Sequence, residues 1–228
     1  MPSEDRDRLP RWRRRKDARP NEILGAALAC FTERGFANTR LDDIARRAGV
    51  TKGTLYLYFR NKEELFEAVV RQSLVPFIER LEAIVAEANE PASILLKRVI
   101  AIWPEVMSSP ASAIPKLVIA ESGNFPDLAR FYLNEVVRRS LAVIREVVRI
   151  GIDRGEFREL HIDGAVMCVI APVIFSMLWR HSLGLYDDAP LDPETLCNTH
   201  LELLLDGMAL RQLAEAGDMH QPDREAAR

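Results

Sequence analysis

The stretch from Thr39 to Leu65 leaves this chain few ways to fold. Thr39, with Asp42 three residues on, reads as a cap and acidic first turn, which satisfies donors that a helix start leaves open. Ile44 and Ala48 then share one face, and Ala45 is small enough for a second helix to cross closely. Gly49 follows where the backbone must enter the left-handed region to end one helix and turn sharply. Thr51 caps the next helix, whose inner side is Val50 and Leu55, and Asn61 with Glu64 opens another through Leu65 and Phe66. Upstream, Pro20 suits a first helical turn, and Ile23, Leu24, Ala27, Leu28 and Phe31 recur at helical spacing until Gly35. The expected unit is three helices, the last two joined by a tight glycine turn.

The outward residues of the helix after Gly49 are Lys52, Gly53, Thr54, Tyr56 and Tyr58: a cation, bare backbone, a hydroxyl and two rings with polar tips. Such a set matches phosphates and base edges in a DNA major groove. The blander reading is the solvated side of a helical hairpin; the agreement of caps, turn and outward chemistry weighs against it. Charge favours the groove. The chain as a whole carries -3, yet residues 1–62 hold 15 Lys+Arg against 8 Asp+Glu, or +7, leaving 16 against 26, or -10, for residues 63–228. A basic end on an acidic body docks on a polyanion by that end. Residues 1–19 gather Arg11, Arg13, Arg14, Arg15 and Lys16 around Trp12 and read as a flexible basic arm. Arg13, Arg14 and Arg15 are candidates for phosphate or minor-groove contact; a merely solvated tail is the competing reading.

The helix opened by Asn61 continues through Val69, Val70, Leu74, Phe77, Leu81 and Ile84, with Pro76 a candidate kink. Further helices are expected over 91–107, 115–121, 126–152 and 163–183, and a last one through Leu210, capped by Asp192 with Pro193 in its first turn. No alternating strand pattern is present. The expected class is all-α, about nine helices, divided into a flexible arm (1–19), a helix-turn-helix DNA-binding domain (20–66), a larger helical domain (67–213) and a flexible tail (214–228).

With 48% hydrophobic and 29% charged residues the composition is that of a soluble globular protein. Cys30, Cys168 and Cys197 lack the spacing of a metal knuckle or redox pair and read as buried thiols in a reducing cytoplasm. The apolar run over 165–179 is shorter than the ~20 residues of a membrane span and contains Pro172 and Ser176, so a helix buried on all sides is expected rather than a membrane partner. His161, His181, His200 and His220 form no metal pattern, and no cofactor is expected. Nucleophile elbows and phosphate-cradling loops are absent, so catalysis is not expected.

The run Ile23-Leu24-x-Ala26-Ala27, Phe31, Gly35-Phe36, Thr39, Asp43-Ile44-Ala45, Ala48-Gly49-Val50-Thr51-Lys52-Gly53-Thr54-Leu55-Tyr56, Tyr58-Phe59 and Lys62-Glu63-Glu64-Leu65 resembles the TetR family of bacterial regulators, over roughly 21–66. The resemblance implies an all-helical homodimer with a small N-terminal DNA-binding domain and a larger domain that pairs subunits and holds a ligand. It also implies that Lys52, Gly53, Thr54 and Tyr56 approach bases and nearby backbone, and that Thr39, Tyr58 and Lys62 hold phosphates. Arg40 and Thr51 complete the expected contact set. Beyond Phe66 the resemblance carries little about the ligand, although Asn124-Phe125-Pro126 looks similar to one branch of these regulators.

One reading helix touches few base pairs, so two copies on a palindromic operator, with half-sites about 34 to 36 Å apart, are expected. The helices over 165–179 and 196–210 are more apolar than a small monomer needs and are the expected twofold partners; internal core is the alternative. Trp103, Met107, Phe125, Phe131, Tyr132, Met167, Cys168, Phe175 and His181 lie in segments that would enclose a ligand cavity, with Trp103 and Phe131 as opposing walls. Each is also readable as core packing, the commoner fate of such residues. Glu121 and His181 are candidate orienting groups. Three readings follow: a repressor released from its operator by a small apolar or amphipathic ligand, a DNA-bound scaffold acting through protein partners, and an enzyme whose site is hidden in space.

Overall fold

The computed structural model describes the backbone of residues 11–190 and 192–210 and the side chains from Pro20 onward. Eleven α-helices occur among them: α1 (Arg11–Asn38), α2 (Leu41–Arg47), α3 (Lys52–Tyr56), α4 (Lys62–Ala86), α5 (Ala92–Ile100), α6 (Trp103–Ser108), α7 (Ile114–Glu121), α8 (Pro126–Tyr132), α9 (Arg138–Asp153), α10 (Ile162–Arg180) and α11 (Pro193–Met208).

Helices α1 to α3 and the start of α4 form the head. Phe31, Phe36 and Phe66 are fully buried, with ring centroids 5.4 to 5.6 Å apart, and Ile44 and Leu55 seat α2 and α3 against them. Three rings at tilted and edge-on angles give both apolar burial and favourable ring electrostatics. The turn between α2 and α3 is the one expected: Gly49 has φ 65°, and Thr51 Oγ1 accepts from Thr54 N at 3.1 Å. Asn61 Oδ1 accepts from Glu64 N at 2.7 Å, while the Glu64 carboxylate reaches back to Arg60 N at 2.8 Å, a reciprocal cap.

Thr39 departs from expectation. Helix α2 starts one residue later, with Arg40 at its cap and no side-chain cap bond. The Thr39 hydroxyl turns inward instead, 2.7 Å from Gly35 O and 3.1 Å from Cys30 O. Gly35, at φ 80° and ψ 165°, breaks the helical path of α1 and brings that carbonyl within reach. The expected boundary at residue 20 is also not a helix start. The backbone is helical from Arg11, with Pro20 inside α1, because an arginine-rich stretch favours helix and a proline there removes one backbone donor.

Helix α4 is a single 25-residue rod with Pro76 inside it, joining head and body. The segment expected as one helix over 91–107 is two, α5 and α6, because Pro104 near the start of α6 cannot donate to the preceding turn. Helices α8 and α9 run on through one π-type turn, Leu133–Val137. The last helix starts as read: Asp192 Oδ2 accepts from Thr195 N at 2.9 Å. The core divides into two clusters, and the division does not follow the expected domain boundary at residue 66. Ile114, Leu117 and Val118 of α7 and Leu128 and Tyr132 of α8 pack with the head's core, so part of the body is built onto the head.

Helix α10 is not buried on all sides. Val166, Val169, Val173 and Met177 face the core, whereas Met167, Phe175 and Trp179 are exposed, as is Leu203 on α11. Its 19 residues are long and apolar enough to cross a membrane by length and composition. An apolar helix with one face packed and the other uncovered is also what a subunit interface leaves in a single chain.

Candidate functional site: a nucleic-acid interface and an apolar cavity

The head presents α3 outward. Thr51, Lys52, Gly53, Tyr56 and Tyr58 are exposed, the tyrosines at 47% and 36%, and Thr54 is half-buried with its hydroxyl 2.9 Å from that of Thr51. Arg40 is exposed at the start of α2. Lys52 Nζ lies 2.8 Å from Asp42, and that carboxylate raises the ammonium's pKa above its ordinary value. Both partners are more than half exposed, so the pair contributes little and a phosphate can take the lysine from it. Sequence reasoning passed over Leu57, which is 83% exposed beside Tyr56 and offers an apolar surface of the kind that meets a thymine methyl. Its signal was its place one residue past an outward tyrosine at the end of a very short helix. Arg13, Arg14 and Arg15 have side chains outside the described residues.

Two expected phosphate contacts point elsewhere. Thr39 is 2% exposed, its hydroxyl committed within α1. Lys62 donates to Phe36 O at 2.6 Å, Ala37 O at 3.1 Å and Thr39 O at 3.2 Å, and its ammonium sits 4.4 Å from the centre of the Phe36 ring. Three protons meet three carbonyls of one turn, which is the full donor capacity of a lysine. Partial burial pushes its pKa below the ordinary lysine value, against the opposing pull of Glu63 and Glu121. Lys62 therefore ties the start of α4 to the turn at residues 36–39.

That turn is also held from the body. Glu121, buried at the end of α7, accepts from Ala37 N at 3.0 Å, and the Phe125 ring meets Phe36 edge-on at 4.8 Å. Head, rod and body thus converge on four residues.

Behind the head lies an apolar cavity of about 90 Å³. Its walls are Leu74, Phe77, Ile78 and Leu81 of α4, Trp103 and Val106 of α6, Pro115 of α7, Tyr132 of α8, Val136 in the π turn, Ser140 and Ile144 of α9, and Ile170, Val173, Ile174 and Met177 of α10. Of the expected ligand residues, Trp103 and Tyr132 are here. Phe131, one residue off, does not line it; that ring packs against the head's core under the Arg71 guanidinium, 4.8 Å away. Phe125 is part of the turn's packing. Met107 lies 3.9 Å from the Cys197 sulfur and lines a separate hollow beside Trp179 and Arg180. Cys168 is exposed, and Phe175, 64% exposed, stands with Trp179 on the open face of α10. Cys30 and Cys197 are buried, as expected. His181 is outside the cavity: its Nε2 is 2.8 Å from Ser112 Oγ, and Lys116 donates to its carbonyl.

Residues 23–69 match the family described as bacterial regulatory proteins, tetR family. A fatty acid metabolism regulator protein of Bacillus subtilis (strain 168) is 27% identical over 199 residues, covering 85% of this chain and 98% of its own length. The transcriptional repressor KstR2 of Mycolicibacterium smegmatis is 27% identical over 207 residues, 89% of this chain and 95% of its own. The solved structure of the regulator FadR from Bacillus subtilis, in complex with stearoyl-CoA, superposes with a TM-score of 0.69 at 27% identity, over 82% of this chain and 98% of that one. Residues 23–69 thus carry the helix-turn-helix of the tetR family, and with the helical body behind it the chain is similar over most of its length to DNA-binding transcriptional regulators.

Proposed function

We propose that the protein is a homodimeric repressor that leaves a palindromic operator when an apolar or amphipathic ligand enters the body cavity. Lys52, Gly53, Thr54 and Tyr56 read bases and adjacent backbone, while Arg40, Thr51 and Tyr58 position the head on phosphates. The uncovered faces of α10 and α11, with Met167, Phe175, Trp179 and Leu203, pair across a twofold axis and set the spacing of the two heads.

One observation carries the switch: α4 lines the cavity with Leu74, Phe77, Ile78 and Leu81 and, at its other end, holds the turn of the head through Lys62. A helix of 25 residues is about 37 Å long and moves as a rod, so a wall displaced by a ligand shifts the head. Small-molecule sites usually enclose about 300 to 1,000 Å³, several times this cavity, so a ligand has to push the walls apart. Entry then favours a head spacing that no longer fits two half-sites. The relative named for fatty acid metabolism, the stearoyl-CoA complex and a solved structure of the ketosteroid regulator KstR2 support an apolar effector.

The DNA reading is tested by selecting duplexes from a random pool with the full chain. An inverted repeat is expected to emerge, and Lys52→Ala or Thr54→Ala to reorder the preferred sequences. Selection that enriches no sequence, or a ranking untouched by both substitutions, contradicts it.

A further inference from the structure

The cavity has a chemical bias that narrows its occupant. None of the residues lining it is charged. Two cations beside it are held: Arg139 makes a two-pronged pair with Glu82 at 2.8 and 2.7 Å, and Lys116 donates to the His181 carbonyl, while Arg80 meets Glu105 out in solvent. A carboxylate drawn into this space would lose water and meet no counter-charge, the costliest kind of burial.

Two hydroxyls break the apolar lining, Tyr132 and Ser140. Tyr132 is buried, and neither hydroxyl has a side-chain hydrogen-bond partner among the described residues, although neither oxygen is sealed off from open space. Burial also pushes the Tyr132 phenol well above its ordinary pKa, so it stays a neutral donor. The π turn is what aligns them. A regular helix advances about 100° per residue, so Tyr132 and Ile144 would drift about 120° around the axis over three steps of four. The wider turn at Leu133–Val137 unwinds part of that drift and keeps Tyr132, Val136, Ser140 and Ile144 on one wall.

Resting on the ligand reading above, we propose that the cavity selects the uncharged carbonyl of a thioester or ketone carried on a long apolar skeleton, bound by the Tyr132 hydroxyl with Ser140 beside it, and rejects the free carboxylate. A thioester carbonyl and a ring ketone are both neutral acceptors, and the site's donors serve either. The charged headgroup of an acyl-CoA stays in solvent.

Calorimetric titration of the full chain at pH 8 separates the possibilities, with stearoyl-CoA, its thioether analogue S-octadecyl-CoA, sodium stearate, a ketosteroid and the same steroid without its ketone. The thioester or the ketosteroid is expected to bind at least tenfold more tightly than stearate, and whichever binds better identifies the source of the carbonyl. Tyr132→Phe should weaken that ligand about tenfold and leave its carbonyl-free analogue within about twofold; Ser140→Ala, a smaller change, should give the same pattern. Stearate binding as tightly as the thioester, or a Tyr132→Phe loss shared equally by both analogues, overturns the carbonyl assignment and leaves the apolar-ligand reading standing. No binding by any probe overturns both.

Discussion

Replacing Lys62 by methionine keeps the apolar stem over Phe36 and removes the ammonium, so the change isolates what the charge does. Two of its three carbonyl bonds are partly buried and contribute about 1 kcal/mol each, while the exposed one to Ala37 is replaced by water at almost no cost. The cation over Phe36 adds about 0.5 to 1 kcal/mol. Relief of the ammonium's desolvation, visible in its lowered pKa, returns part of this. The net loss is about 2 kcal/mol, or about 4 to 8 °C in melting temperature for a chain of this size. Differential scanning calorimetry reads that fall, and DNA affinity measured against salt supplies the control. A lysine on a phosphate would steepen the logarithmic salt slope by about 0.9, and its removal would flatten it by that amount. Here the slope should not change while the melting temperature drops. A flattened slope with unchanged melting would return Lys62 to the DNA and refute the clamp.

Phe175→Glu or Leu203→Glu, on the open faces of α10 and α11, should convert dimers to monomers in sedimentation while leaving each head folded, and operator affinity should fall with the loss of the second head. His181 makes a pH signature. Burial, then Arg180 and Lys116, hold its pKa below 6.5, so the unfolded chain takes up the proton first as pH falls. Its contribution to stability is present above pH 6.5 and is lost below it, towards the lower folded pKa. Melting temperatures at pH 7.5 and 5.5 should differ less in His181→Asn than in the native chain; an equal difference contradicts this.

What the sequence disclosed was local. Gly49, Thr51, Asn61 and Asp192 act on backbone within three residues, so spacing alone identified their turn and caps. Thr39 and Lys62 satisfy carbonyls of other segments, Lys62 as far back as Phe36, and neither hydroxyl nor ammonium reveals in sequence which acceptor it will find. The cavity was half legible for the same reason. Its apolar stripe on α4 reads as ordinary core, and choosing aromatic residues by size picked Phe131 beside Tyr132, because the π turn that sets the phase of α8 and α9 leaves no periodic mark. Helix α10 read both as buried on all sides and as a twofold partner, because composition records apolarity without saying whether the cover comes from the same chain.

In the proposed switch, cavity occupancy and operator binding are coupled through α4. Fluorescence anisotropy of a duplex recovered from the random pool, titrated with the full chain with and without a saturating cavity ligand, measures that coupling directly. DNA binding is expected to weaken by a factor of about 5 to 150, for a coupling of about 1 to 3 kcal/mol, when the ligand is bound. Unchanged affinity at saturation, with calorimetry showing the cavity filled, would contradict it.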